Sequence, residues 1–234
     1  MAKYAYVLFN LAISSSLVFA VPWVPSFWAQ WRNMLRGLAA VSLPFIIWDV
    51  LAAKAGHWSF NPVYVLGARV YGLPIEEILF FASVPLACMV VWTLLAQVRG
   101  GDRPLLAPKR ARLLLLVAAA VLTVLALAAS GKGYTMVALL AAAVTCVALA
   151  WYPQLTVTTR FMLFQVCACV LFVVCNTVLT SLPIIVYGPQ AVTEWRVGTI
   201  PVEDFLYNFA LLNLFLVVFN RDIWAPKSTK SAVL

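Results

Sequence analysis

Charge is what this chain most lacks. Of its 234 residues only 10% are charged, and the acidic ones number eight, where a soluble domain would carry about a quarter charged residues. That scarcity excludes a soluble domain of useful size. Histidine is almost missing: the single His57 has no partner at metal-ligand spacing and reads as a loop or interface residue. The five cysteines (Cys88, Cys146, Cys167, Cys169 and Cys175) all fall inside apolar blocks. Cys167 and Cys169 point to different sides of a helix, so neither a metal site nor a disulfide is read from them. Nucleotide-binding glycine motifs are also lacking, since Gly131-Lys-Gly133 has no strand before it. No cofactor is expected. A net charge of +8 invites a nucleic-acid reading. The basic residues lie between apolar blocks and not along one face, so they read as topology-setting loop charges, with membrane lipid and not nucleic acid as partner.

What the chain has in abundance is apolar length: 65% hydrophobic residues and a mean hydropathy of +0.98. They come in long blocks, not in a 3.6- or 2-residue alternation, which is the pattern of membrane spans. Seven runs of span length lie at about 4–21, 35–53, 75–97, 113–130, 134–152, 161–185 and 202–220. Between them stand Pro22 and Pro25, Gly56 to Pro62, Gly100-Gly101, Gly131 to Gly133, Pro153, and Gly188-Pro189, all turn formers. The turn between the fourth and fifth runs is so short that a re-entrant hairpin stays open as an alternative. Residues 4–21 have the look of a signal-peptide core after Lys3, but a counterpart deeper in the chain argues for a span.

Seven spans sort the loops into two sides. Lys3, Lys54, Arg69, Lys132 and Arg196 fall on one. Arg32, Arg36, Arg99, Arg103, Lys109, Arg110, Arg112, Arg160, Arg221, Lys227 and Lys230 fall on the other. The positive-inside rule then places the N-terminus outside and the C-terminus in the cytoplasm of a plasma-membrane protein.

Sliding the chain against itself by 127 residues gives an ungapped match. Phe45 meets Phe172, Pro62 meets Pro189, Arg69 meets Arg196, Pro74 meets Pro201 and Glu76 meets Glu203. Asp49 meets Asn176, Glu77 meets Asp204 and Phe80 meets Tyr207. Matched proline, arginine and acid at one fixed offset mean more than matched leucine. Span 1 thus falls on span 5, 2 on 6 and 3 on 7, with span 4 as connector. The offset is an even number of spans, so the copies run the same way through the membrane, about a pseudo-twofold axis along its normal. The expected fold is all-α, with seven transmembrane helices in a 3+1+3 arrangement. Its segments are a first repeat (1–98), a basic loop and connector helix (99–130), a second repeat (131–222) and a cytoplasmic tail (223–234).

Half of the eight acids stand in two Pro-x-Glu-acidic motifs, Glu76-Glu77 and Glu203-Asp204, each opening an apolar helix. Proline at the first helical position and acids in the first turn also suit an ordinary helix start. Against that bland reading, four carboxyls at membrane depth are expensive unless paired or functional. Both motifs should lie at one depth and converge on a shared cavity. Arg69 and Arg196 would neutralise one acid of each pair, and mutual repulsion would leave one carboxyl protonated beside an ionised one. Trp48, Trp58, Phe80, Tyr187 and Tyr207 crowd the same region. They read as an interfacial belt, some of them lining a cavity and stabilising a cation.

The residues then resemble a known family. Trp48-Asp49 with Trp58-Ser-Phe60-Asn61-Pro62, Gly72-Leu-Pro-Ile-Glu-Glu-Ile-Leu-Phe-Phe81, Asn176-Thr-Val-Leu-Thr180 and Arg196-Val-Gly-Thr-Ile-Pro201-Val-Glu-Asp-Phe-Leu-Tyr-Asn208 are similar to the integral-membrane lycopene cyclases of bacteria, archaea and fungi. The resemblance covers essentially the full length. It implies a carotenoid substrate, contact with other carotenoid enzymes, and ring closure of lycopene ends without redox change, to rings of the β type. It further implies that Glu76, Glu77, Glu203 and Asp204 form the acid–base group, tuned by Asp49, Arg69, Arg196 and Asn176. The competing readings are a small 3+1+3 transporter, a carotenoid end-group hydratase and a retinal protein. Pro153-Gln154 and Pro189-Gln190 do not recur at equivalent positions, which weakens the first. The last span has no lysine for a Schiff base, which weakens the third.

Overall fold

A computed structural model describes residues 2–20, 22–98 and 102–220. The expected tail (223–234), Gly100-Gly101, and the basic residues Arg99, Arg221, Lys227 and Lys230 lie outside the described residues. Among the described residues, seven helices are long and apolar enough to cross a membrane: α1 (Ala2–Ala20), α2 (Trp31–Lys54), α3 (Ile75–Leu95), α4 (Pro108–Ala128), α5 (Gly133–Ala150), α6 (Thr159–Ser181) and α7 (Val202–Phe219). The protein is therefore an all-α multi-pass membrane protein, and α4 and α5 are separate helices, each of span length.

Three boundaries differ from expectation, each for a physical reason. α2 and α4 begin earlier than the apolar runs because Arg32, Lys109 and Arg110 ride on their first turns; long basic side chains can keep their charge in water there. α6 stops at Ser181 and not near 185, because Pro183 cannot continue it and Ile185–Tyr187 turns into strand. α2 also carries a wide π turn at Leu38–Ser42, just before Pro44, whose ring and missing N–H disrupt a regular helical ladder.

Among the described residues six short strands join the helices: β1 (Trp58–Phe60), β2 (Arg69–Val70), β3 (Leu73–Pro74), β4 (Ile185–Tyr187), β5 (Arg196–Val197) and β6 (Ile200–Pro201). β2–β3 and β5–β6 are hairpins at repeat-equivalent positions. β1 and β4 pair antiparallel across the two repeats, with Trp58 opposite Tyr187, Ser59 opposite Val186 and Phe60 opposite Ile185. Val186 is the residue 127 positions after Ser59. A local twofold axis therefore passes through that pair and strand-links the copies.

The repeat extends to single hydrogen bonds. Arg69 donates to the Gly72 carbonyl and Arg196 to that of Thr199, each at 2.8 Å. The Ile75 and Val202 amides both return to the loop, to Ala68 O and Trp195 O. The Tyr6 amide bonds Tyr64 O, and the Tyr134 amide bonds Ala191 O. The last pair reveals a one-residue slip, since Tyr6 and Tyr134 are 128 apart, not 127. Away from the hairpins, Phe27, Met89, Trp92, Phe164, Phe215 and Phe219 form an apolar core, with Arg160 stacked 3.7 Å over the Trp92 ring.

Candidate active site

Each acidic motif is positioned by the hairpin before it. Pro74 and Pro201 sit in the last strand of their hairpins with extended backbone (ψ 143° in both), so each is the cap and not, as expected, the first helical residue. The helix starts one residue later, which places both acids in its first turn, where the helix dipole favours negative charge.

The two acids of each motif then separate, as residues about 100° apart on a helix must. Glu76 and Glu203 turn back to the loop. Glu76 Oε1 accepts the Leu66 amide at 2.6 Å. Glu203 Oε1 accepts the Thr193 amide at 2.7 Å and the hydroxyls of Thr135 (2.7 Å) and Thr193 (2.8 Å). Leu66 and Thr193 are themselves repeat equivalents, so these two acids are matched staples between loop and helix.

Glu77 and Asp204 turn inward and share a cavity of about 80 Å³. Asp49 and Asn176 line it from α2 and α6, with Trp58, Phe80, Tyr134 and Tyr207 among its walls. The Tyr6 hydroxyl donates to Glu77 Oε2 at 2.5 Å. Asp204 receives three donors: Tyr134 at 2.6 Å, Tyr187 at 2.5 Å and the Asn176 amide at 2.8 Å. Burial and the neighbouring Asp204 carboxyl hold the Tyr187 phenol well above its ordinary pKa, so it stays a donor. Asp49 is bonded on one side only. Trp58 Nε1 donates to its Oδ1 at 2.6 Å, while the buried Oδ2 has no partner among the described residues.

The cavity walls are aromatic on several sides. Trp58 meets Tyr134 edge-on at 4.9 Å, Tyr134 stacks on Tyr187 at 6.1 Å, and Tyr207 lies 4.9 Å from Phe45. The Tyr207 hydroxyl, also buried, is unpartnered among the described residues. Such walls exclude water and present ring faces, the negative part of an aromatic quadrupole, to whatever positive charge forms inside.

Of the residues singled out in the sequence, Asp49, Trp58, Glu77, Phe80, Asn176, Tyr187, Asp204 and Tyr207 meet in this cavity. Glu76 and Glu203 are not among its lining residues. Trp48 is not either; its ring stands 5.7 Å from that of His57. Arg69 and Arg196 are exposed and bound to hairpin carbonyls, so the expectation that they neutralise the acids is not met. Tyr6 and Tyr134, whose hydroxyls bond the inner acids, are not among the residues the ungapped self-match singles out. Their signal was present: one gap in the self-match would have aligned them.

Comparison with curated proteins and with solved structures returns no match. A family model described as "Lycopene cyclase" matches residues 3–95 and again 131–221, one match on each repeat and none on the connecting loop or α4. With most of its length matched and both acidic motifs inside the matched segments, the chain belongs to the lycopene cyclase family and takes its place in carotenoid biosynthesis.

Proposed function

We propose that the protein closes the acyclic ends of lycopene into β-type rings by intramolecular acid–base catalysis, with no redox change. The observation that carries this is the cavity where carboxyls from both repeats meet among aromatic rings, one of them with a free oxygen.

In this reading Asp49 is the proton donor. A buried carboxyl with one oxygen unpartnered is less costly as the neutral acid than as the ion. It protonates the terminal double bond of the chain at its inner carbon, leaving a tertiary cation at the branched carbon. The next substituted double bond attacks that cation, which forms the ring bond and moves the charge to the second branched carbon. Loss of a proton from the ring carbon that has just made the new bond, not from the methylene on the other side of the cation, restores a double bond and gives the β isomer. Asp204 is the acceptor, since three donors favour its ionised form. One proton enters and one leaves, so the product is an isomer of the substrate. Glu77 is the third carboxyl of the cavity and returns the proton from acceptor to donor. The faces of Trp58, Tyr134 and Tyr207 stabilise the cation during transit, and Glu76 and Glu203 fix the hairpins from which the inner acids project.

Segments 1–98 and 131–222 each supply one side of this site, and 99–130 connects them. The basic loops support a plasma-membrane protein with the N-terminus outside, the C-terminus inside and the cavity near the outer face.

The test is expression in cells that accumulate lycopene, followed by pigment chromatography. β-Ring carotenoids should appear at the expense of lycopene. Unchanged lycopene would refute the reading, and a hydroxylated open chain would replace it with a hydratase.

A further inference from the structure

We propose that the groove between α1 and α6 holds the long unreacted part of the substrate and admits it sideways from the lipid. This deepens the cyclase reading and rests on it for the identity of the chain. The groove has a volume of about 620 Å³ and is floored by α3. Phe80, Phe172, Asn176, Leu179 and Asn208 line both it and the acid cavity, so the two adjoin through these side chains. Along α3 it runs from Phe80 to Leu94, about 21 Å at 1.5 Å per residue, or two-thirds of a bilayer's ~30 Å hydrocarbon core.

Its chemistry selects the occupant. Beyond the two asparagine amides at the acid end, its walls are Ile13, Phe19, Val84, Ala87, Val91 and similar side chains, with the hydroxyls of Ser15 and Ser16 on α1 and the thiols of Cys88 and Cys175 as the remaining polar groups. No charged residue among the described residues lines it. A slender chain without heteroatoms fits such a passage, and a headgroup does not. Phe19 and Leu171 on opposite walls are 76% and 44% exposed, so the groove opens along its side and not through a loop.

Repeat symmetry supplies an internal control. The equivalent crevice, between α5 and α2 over α7, is filled. There Phe45, the counterpart of Phe172, packs 4.9 Å from Tyr207, the counterpart of Phe80. Phe215, the counterpart of Cys88, packs so closely on Gly37 that a β-carbon there would collide with its ring. On the open side Phe172 turns to Phe205 at 4.9 Å, and the smaller Cys88 lines the groove. Two positions, exchanged between large and small or turned away, make the two sides unlike and open the α1–α6 side.

The test separates binding from chemistry. The full-length Glu77→Gln variant, purified from lycopene-accumulating cells, should retain lycopene, read by its absorbance. Ala87→Trp or Ser16→Trp in that background should reduce the retained pigment at least ten-fold. Two plugs on different helices are used, each accepted only if it elutes as a monodisperse species. In the otherwise unaltered protein, either plug should slow lycopene cyclisation at least ten-fold. It should leave a short acyclic terpene with the same end group within two-fold of the unplugged rate. Full retention and turnover of lycopene in both plugged variants would overturn the proposal. So would a Glu77→Gln protein that carries only membrane lipid despite excess lycopene. Pigment retained and displaced by the plugs, but never cyclised by the unaltered protein, would uphold the groove and overturn the reaction.

Discussion

Asp49 and Asn176 occupy equivalent places in the two repeats, yet only one of them can carry a proton. Asn176 donates its amide to Asp204 at 2.8 Å, whereas Asp49 keeps one buried oxygen free. In the proposed mechanism this single-atom difference gives the cavity its polarity, from the donor side at α2 to the acceptor side at α7. Asp49→Asn should therefore stop ring formation as fully as Asp204→Asn. General acid–base groups are worth about 10²–10⁴-fold, so product in either variant should fall at least a hundred-fold while the amount of protein in the membrane is unchanged. The outer acids should behave differently. Glu203→Gln weakens charge-assisted bonds to a backbone amide and two hydroxyls, each worth about 1.5–3 kcal/mol. It should lower the thermal midpoint in detergent by several degrees and leave measurable turnover. Complete loss of turnover at unaltered stability would return Glu203 to the acid–base group.

At the scale of elements, the hairpins are what turn a helix start into a site. Tyr71 and Gly72 both have positive φ (52° and 96°), as a type I′ turn requires, while in the second copy Gly198 has φ 63°. One loop upstream, Gly67 (φ 96°) is matched by Glu194, held at φ 71°. The closest backbone approach lies elsewhere, at Gly188, where a β-carbon would collide with the carbonyl of Gly56. That contact abuts β4, so Gly188→Ala should strain the β1–β4 ladder. Overpacking of this kind costs about 1–3 kcal/mol, to be read as a lowered unfolding midpoint. A variant as stable as the parent would show that the loop yields. Much of this level was legible in the sequence. Apolar run length revealed the spans, and the 127-residue offset revealed the repeat and the convergence of the acidic motifs. The role of each acid was not, because two neighbouring carboxylates look alike until the loop shows which one its amides face. Arg69 and Arg196 misled for a similar reason: opposite charge five residues before a proline suggests an ion pair, but the hairpin carbonyls lie closer.

For the whole molecule, the cavity belongs to neither repeat. Glu77 and Asp49 come from the first and Asp204 and Asn176 from the second, and the β1–β4 strands hold the halves in register. α4 adds no residue to the cavity lining, and no family match covers it. Separate chains 1–98 and 99–234, expressed together, should therefore rebuild the site and yield cyclised pigment. Either chain alone should yield none. Pigment from one fragment would place all the necessary groups in one repeat.

The Ser59–Val186 pair on the local twofold has a historical meaning as well. An edge strand that meets its own counterpart across a dyad is self-complementary, so an ancestral single repeat could have dimerised through the same ladder without any change of geometry. Such a symmetric ancestor would have carried either two acids or two amides at the positions of Asp49 and Asn176. Two copies in one chain are free of that constraint. Once each copy could mutate alone, the lineage was free to settle a donor on one side and an amide on the other, a state that no homodimer of one repeat can reach.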